Sequence, residues 1–525
     1  MEYPLRYIAR IIIEAQSPIS IQSGEKGLLS DDQIMRDWNG LPTLPGTSLM
    51  GVLRSHLEKE QGVEKLEQLK SILGGQILME KGAVLNGIVL KEAQKVNIGS
   101  RLIISDALLC GQYHKVYTIP TADFGPNEAY FDAFKTLPIR DRVRMNERGV
   151  SDSEGSGKFD EELIFKGTRF KFELELIGNE SDEDFWQELF TLIQTEWQIG
   201  GGTRNGHGQL KIIETEKRTF DLRKDLVAYQ AYSSDLDQAI EGGDKATEII
   251  AHQAAGWYKY VLDLQPADLF FHFGSGKGNQ ITDNTPKTER IIVWNGTIPQ
   301  VDTTERYLIP ASSIKGALAH RTAYHYNLIK GHTIEKVLQE VLQEKKAKIK
   351  TDFQVKGQSI TTLTESDLNP YLENISKEVR EKYTGDNNPA KKLLFGYAKQ
   401  NEEGMEEGQI GHVIVEDVYL AKEDVATHIV DHVKIDTFSG AAFDGALFNE
   451  EVVEAKSMVR FIIKIKQKDL TKIADEAEKQ LWKDSYKAIE LAIFNIAEGF
   501  LPLGGMTQKG HGAFQGDLNM ELSQL

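Results

Sequence analysis

Leu44-Pro45-Gly46-Thr47-Ser48-Leu49-Met50-Gly51-Val52-Leu53 returns as Ile309-Pro310-Ala311-Ser312-Ser313-Ile314-Lys315-Gly316-Ala317-Leu318, 265 residues on from Pro45 to Pro310. Pro, the Ser three places after it, Gly and Leu are identical, and most apolar positions stay apolar. A second, unlike motif repeats in the same order. Gly201-Gly202-Thr203-Arg204-Asn205-Gly206-His207-Gly208 recurs as Gly504-Gly505-Met506-Thr507-Gln508-Lys509-Gly510-His511-Gly512, with 304 residues from Gly206 to Gly510. Two motifs repeated in order mark two homologous domains in tandem. The offset grows from 265 to 304, so the second copy carries 39 more residues between its landmarks.

Outward from these landmarks both halves read alike. An opening strand over 7–14 or 258–264 is followed by a loop, and the Pro-Ser motif leads into a helix over 48–58 or 313–327. Pro cannot continue a strand ladder, and Ser48 and Ser313 suit the N-cap of the following helix. Strands are predicted at 102–106 and 411–418, and again at 169–177 and 458–465 after a long excursion. Helices over 182–197 and 475–498 then enter the glycine loops, and final strands cover 209–213 and 513–518. This alternation reads as an α+β, ferredoxin-like fold. The predicted domains are 1–216 and 257–525, joined by 217–256, with an insertion near 330–390. Its stretch 334–349, rich in Glu, Gln and Lys, reads as a solvated amphipathic helix, and as either a docking insertion or a tolerated surface one.

Composition narrows the function classes. The chain has 525 residues, 61 Lys+Arg against 79 Asp+Glu, and a net charge of −18. No apolar run is long enough to span a bilayer, and the opening Met1-Glu2-Tyr3-Pro4 lacks a secretory pattern. A single cysteine, Cys110, excludes a disulfide framework and Cys-ligated metal clusters, so a reducing cytoplasm is the expected compartment. Acidity alone argues against nucleic acid, which needs clustered Lys and Arg. A total does not locate a groove, however, and Arg54, Arg204, Lys315, Arg321 and Lys509 recur at loops where a basic stripe is expected.

The helix start behind the Pro-Ser motif favours an anion through its free N–H groups and dipole. Gly51 and Gly316 permit close backbone approach, and an ordinary capped helix explains the same residues without a ligand. The glycine loops follow a helix and precede a strand, the reverse of a dinucleotide fingerprint. Phe273-Gly274-Ser275-Gly276-Lys277-Gly278 lacks the Ser or Thr that a phosphate-binding P-loop needs after its Lys. His207 and His511, between glycines, could titrate near neutrality and touch phosphate, or serve as turn residues only.

Pro-Gly-Thr-Ser-Leu-x-Gly-x-Leu-Arg, the downstream Gly-Gly-x-Arg-x-Gly-x-Gly loop and the split α+β pattern together resemble the RAMP superfamily of CRISPR proteins. His432-Val433-Lys434-Ile435-Asp436 followed by Gly445-Ala446-Leu447-Phe448-Asn449-Glu450-Glu451 resembles its backbone subunits, with a weaker copy from Asp141-Arg142-Val143-Arg144 to Phe159-Asp160-Glu161-Glu162-Leu163. Two such domains in tandem resemble the fused backbone subunit of a type III-D effector. The resemblance implies RRM-like domains that hold a guide CRISPR RNA by its backbone, other effector subunits and a target RNA as partners, and no membrane. Thumb-like hairpins within 432–451 and 140–165 would interrupt the guide–target duplex. The RNA contacts it implies are Ser48, Gly51, Arg54, Arg204, His207, Ser313, Lys315, Arg321, Lys509 and His511.

In target-cleaving members an Asp in the loop before the Pro-Ser motif supports metal-dependent cutting. Ser30-Asp31-Asp32-Gln33-Ile34-Met35-Arg36-Asp37 fits that pattern with Asp31 in the catalytic slot and Asp32 as its neighbour. In the second copy Thr282-Asp283-Asn284 offers Asp283, with Asp302 as the alternative. A free Asp, with a pKa of about 3.9, is a weak general base, so the resemblance favours a carboxylate holding Mg²⁺ or Mn²⁺ at Asp31 and Asp283. Two other readings stand beside this endoribonuclease: a purely structural backbone subunit, and a guide-precursor processing endoribonuclease using His207 or His511.

Overall fold

The computed structural model describes residues 2–522 apart from 25–32, 61–68, 80–83, 86–87, 90–93, 144–157, 195–196, 248–255, 268–269, 303, 342–376 and 401–405. Strand Leu5–Ala15 lies between Arg169–Gly178 and Gln209–Asp221, antiparallel to both, and Leu102–Ile104 joins the far edge of Arg169–Gly178. In the second half Trp257–Pro266 lies between Val459–Lys466 and Phe514–Leu522, with Val413–Val415 beyond. Read by chain position, both sheets run fourth, first, third, second, the ferredoxin-like order. Helices Gly46–Glu60 and Glu183–Gln194 pack on the first sheet, and Ala311–Lys330 and Glu476–Ala497 on the second. The α+β reading with two tandem domains therefore holds.

Leu5–Ala15 carries buried side chains on both faces, and this draws residues beyond 216 against the first sheet. Tyr7, Ala9, Ile11 and Ile13 enter the core beneath the helices. Ile8 packs with Phe220 and Ile240, and Ile12 with Leu108, Cys110 and Leu236. A central strand needs cover on both sides when both carry apolar side chains. The chain supplies that cover with the stretch taken from sequence as a join. Gln209–Asp221 runs well past residue 216, and Asp244–Ala246 pairs with it. Arg10, itself buried, holds Glu173, Tyr232 and the carbonyls of Ser233 and Gln238.

Ser48 and Ser313 are not the caps expected of them. The helices begin at Gly46 and Ala311, two residues earlier, after an extended proline that leaves the helix N-terminus without a side-chain cap of its own at Pro310. A strand-end carboxylate from elsewhere fills the role in each copy. Gly46 N–H donates to Asp106 Oδ1, and Ala311 N–H to Asp417 Oδ1, both at 2.8 Å. An acid there both accepts an orphan bond and complements the helix dipole.

The second copy also has a hairpin that the first lacks. The bridges Gln22↔Ile34 and Gly274↔Pro286 are 252 residues apart, whereas Pro45 and Pro310 are 265 apart, so 13 residues are added between them. Where the first copy turns tightly, Asp37 N–H donating to Leu41 O, the second builds Ile292–Asn295 and Ile298–Val301. This hairpin lies on the first domain. Ile292 joins the first core, Trp294 Nε1 donates to Gly167 O at 2.7 Å, and the indole lies 4.1 Å from the Arg169 guanidinium. Of the insertion near 330–390, residues 334–341 are helical; Val337 and Val341 pack with Val379, and Asn327 Nδ2 donates to Tyr383 O. The rest of the predicted helix lies outside the described residues.

Candidate nucleic-acid interface

The loops that carry the proposed carboxylates are held alike in both copies. Gly201 N–H donates to Ser20 O and Gly505 N–H to His272 O; Gly208 N–H donates to Pro18 O and Gly512 N–H to Phe270 O. Each strand-side partner shifts by 252 residues, as do both ends of the bridges that close the loop. The loops are equal in length, so Asp283 stands at the place of Asp31 and Asn284 at that of Asp32. Asp31 and Asp32 themselves lie outside the described residues. Asp302 belongs to the added hairpin: its carboxylate holds Arg306 Nε at 3.1 Å and has no counterpart in the first copy.

Asp283 is exposed at the base of a long hairpin, Val425–Ile435 with Ala442–Ala455. Its Oδ2 accepts the Asn449 N–H and its own N–H donates to Asn449 Oδ1, both at 2.9 Å. Behind it Glu450 is buried beside two histidines. Lys509 Nζ donates to His432 Nδ1 at 3.0 Å, which leaves His432 Nε2–H to donate to Glu450 Oε1 at 3.0 Å. His272 donates from Nδ1 to Glu451 O and accepts Asn284 Nδ2 at Nε2. Two imidazoles thus brace a buried carboxylate under the loop, His432 at 3.0 Å and His272 at 3.6 Å from Glu450. The hairpin itself is studded with exposed Ile429, Val433, Ile435, Phe443 and Leu447, and Phe438 is fully exposed at its tip. Its counterpart, Ile139–Val143 with Lys158–Glu162, is present in the first domain, and 144–157 lie outside the described residues.

The other predicted contacts separate into two sets. Gly51, Ser313 and Gly316 are exposed and Ser48 half-buried near the two helix starts, with open space where a side chain on either glycine would lie. The cations behave differently. Arg54 holds the carbonyls of Leu73 and Gly74, Lys315 Nζ donates to Arg204 O at 2.9 Å, and Arg321 Nη2 donates to Phe500 O at 2.6 Å. Arg204 is half-buried, and burial lowers its pKa. The free basic stripe expected of Arg54, Arg204, Lys315, Arg321 and Lys509 is therefore not what these side chains form: Arg54, Lys315, Arg321 and Lys509 bond to groups of the protein itself, and Arg204 is half-buried. The glycine loops also have a structural cause. Gly208 (φ +74°) and Gly512 (φ +78°) press on the carbonyls of Ile199 and Leu503, where a Cβ would collide.

His207 is buried at the joint between the domains, around a guanidinium that the sequence reading did not single out. Arg140 Nε and Nη2 grip Glu289 at 2.8 and 3.0 Å, Nη1 reaches Asp417 at 2.8 Å and His207 Nε2 at 3.2 Å, and Nη2 also donates to Tyr419 OH. All five Arg N–H groups are used. Burial opposes ionisation of Asp417, but Arg140 and the Ala311 N–H outweigh it and hold its pKa below the ordinary value. Arg140, Glu289, Asp417 and Tyr419 are the residues missed. One signal was available: Ile104-Ser105-Asp106-Ala107 and Val415-Glu416-Asp417-Val418 repeat 311 residues apart.

Among the described residues no three acidic, histidine or cysteine side chains converge as a metal-holding group. Asp283 brings one carboxylate, so the described residues do not by themselves fit a resident Mg²⁺ or Mn²⁺ centre. No helix of the described residues is long and apolar enough to cross a membrane.

Two ferredoxin-like domains in tandem, each with a glycine loop, a Pro-Ser helix start and a hairpin beside them, define a class of repeated RRM-like modules. The RAMP superfamily model matches residues 12–211 and 271–515, and the chain belongs to that superfamily. No match was found among curated proteins. Among solved structures, a chain of "Type III-B Cmr-beta" in the apo state is similar at 15% identity and TM-score 0.29, covering 40% of this chain and 98% of that one. A chain of the same complex "bound to cognate target RNA" gives 14%, 0.28, 39% and 96%.

Proposed function

We propose that the protein is a backbone subunit of a type III CRISPR effector that holds guide RNA and cuts complementary target RNA at two places, one per domain. The observation that supports this reading is the matched pair of loops, equal in length between equivalent bridges, with Asp283 beside the long hairpin and Asp31 at the same count along the first copy's sequence. The RNA backbone would pass the open helix starts at Ser48, Gly51, Ser313 and Gly316, and the apolar hairpin would stand between stacked bases. The second loop contributes a single carboxylate, Asp283, so a divalent cation there would have to be shared with the phosphates of the RNA. The processing reading is weaker, because His207 is buried with its Nε2 occupied by Arg140.

The test is reconstitution with a guide and a labelled target. Asp31→Asn and Asp283→Asn should each remove one cut while guide binding survives, and EDTA should stop both. Unchanged cleavage in both variants would overturn the catalytic part and leave a structural backbone subunit. Precursor cutting by the chain alone in EDTA would favour processing instead.

A further inference from the structure

One guanidinium at the domain joint has no counter-charge. Arg204 lies in the turn Thr203–Asn205, which packs against Val413–Val415 and the helix Ala311–Lys330 of the second domain. Lys315 Nζ holds its backbone carbonyl at 2.9 Å, so the second domain fixes the turn. The side chain is left without a partner. Its Nε is closed off from solvent, and among the described residues no acceptor meets any nitrogen of the guanidinium. Burial alone lowers its pKa, with no carboxylate close enough to oppose the shift. Arg140, at the same joint, shows what a buried arginine ordinarily requires: Glu289 and Asp417 grip it at 2.8 to 3.0 Å.

The neighbours of Arg204 deepen the imbalance. His412, just before Val413–Val415, has no partner at Nδ1, and the buried Trp482 has none at Nε1. The two rings meet edge to face, 4.8 Å apart. Burial, and after it the charges of Arg204, Lys466 and Lys468, hold the His412 pKa down against a bond to the Lys466 backbone. Glu416, in the adjoining strand end, is already committed to Lys464 at 2.8 Å and to Gln209 at 3.3 Å. Donors and cations therefore gather here without an anion. Leaving a charge buried and unpaired is costly. The second glycine loop, by contrast, has an exposed, neutral Gln508 at the place of Arg204, 304 residues on. Of the two loops, only the one closed under a second domain carries the arginine.

We propose that Arg204 receives a free oxyanion of the phosphate class at the joint, with His412 and Lys468 of the second domain as its other positive or protonatable neighbours. A guanidinium presents paired N–H groups that match two oxygens of such an ion. One ion thus neutralises charge from both domains and holds them together. The inference rests on the unpaired guanidinium and stands or falls without RNA cleavage.

Equilibrium dialysis of the purified, RNA-free full chain against radiolabelled inorganic phosphate, at constant ionic strength, tests it. The wild type should bind phosphate saturably, and its melting temperature should rise with phosphate but not with chloride. Arg204→Met keeps the length of the side chain and removes its charge. It should bind phosphate about tenfold more weakly or worse, and lose the phosphate-dependent rise. In chloride it should melt at or above the wild type, because an unpaired buried charge is gone. A lower value would show that Arg204 is paired within the protein and overturn the proposal. Lys468→Ala, at an exposed position, should weaken phosphate binding while leaving the melting temperature in chloride unchanged. No saturable binding by the wild type, or equal binding by Arg204→Met, would also overturn it. So would displacement of the bound phosphate by guide RNA, which would give the site to the RNA backbone instead.

Discussion

The guanidinium of Arg140 and the carboxylate of Asp417 meet at 2.8 Å across the domain joint, both almost wholly buried. Asp417 also caps the Pro-Ser helix of the second domain through Ala311 N–H. One side chain thus fixes a helix start and a domain neighbour together. Removing one partner of a buried pair leaves the other unpaired and costs about 3–5 kcal/mol. Arg140→Ala should lower stability by that order in chemical denaturation. Arg140→Lys should recover little, because a single ammonium cannot span Glu289, Asp417 and Tyr419.

The added hairpin makes a second, separable joint. Trp294→Ala loses the Arg169 contact and the bond to Gly167 O, and should turn one calorimetric transition into two. A single unshifted transition would show that the Arg140 network alone couples the domains.

Two exposed glycines carry opposite expectations for stability and binding. Gly51 and Gly316 lie inside helices, with open space around them. Gly→Ala at each should stabilise the free protein by about 0.5–1 kcal/mol. If RNA lies against these helix starts, the same methyls should weaken guide affinity. Binding that is unchanged in a stabilised double variant would place the RNA elsewhere.

Acid should loosen the fold above the carboxylate range. Burial, with Arg169 next in effect, lowers the His114 pKa from 6.5 to about 4, and burial lowers that of His412 to about 4. Between those values the unfolded chain binds more protons, so stability falls as pH drops from about 6.5 to 4. Denaturation midpoints at pH 7 and 5 measure this. His114→Asn, suited to its φ of +57°, should flatten part of the change. Asp417 acts in the same direction over a lower range: its contribution is present above the ordinary carboxylate pKa and is lost as pH falls through its lowered folded value.

The sequence by itself determined the tandem fold. Period-two and helical patterns, together with two motifs repeated in order, need only local register to be read. It also aligned Asp283 with Asp31 along the chain, since the two loops have the same length between equivalent bridges. Tertiary structure alone decided what the cations and histidine do. Lys315 and His207 looked like phosphate ligands because charge beside glycine reads the same whether the neighbour is RNA or protein. Only the second domain, seated against the loop, shows that these residues close a joint. The reach of 217–247 was hidden for a related reason. An apolar run such as Ile11-Ile12-Ile13 shows that a strand is buried, but not which distant segment covers its second face.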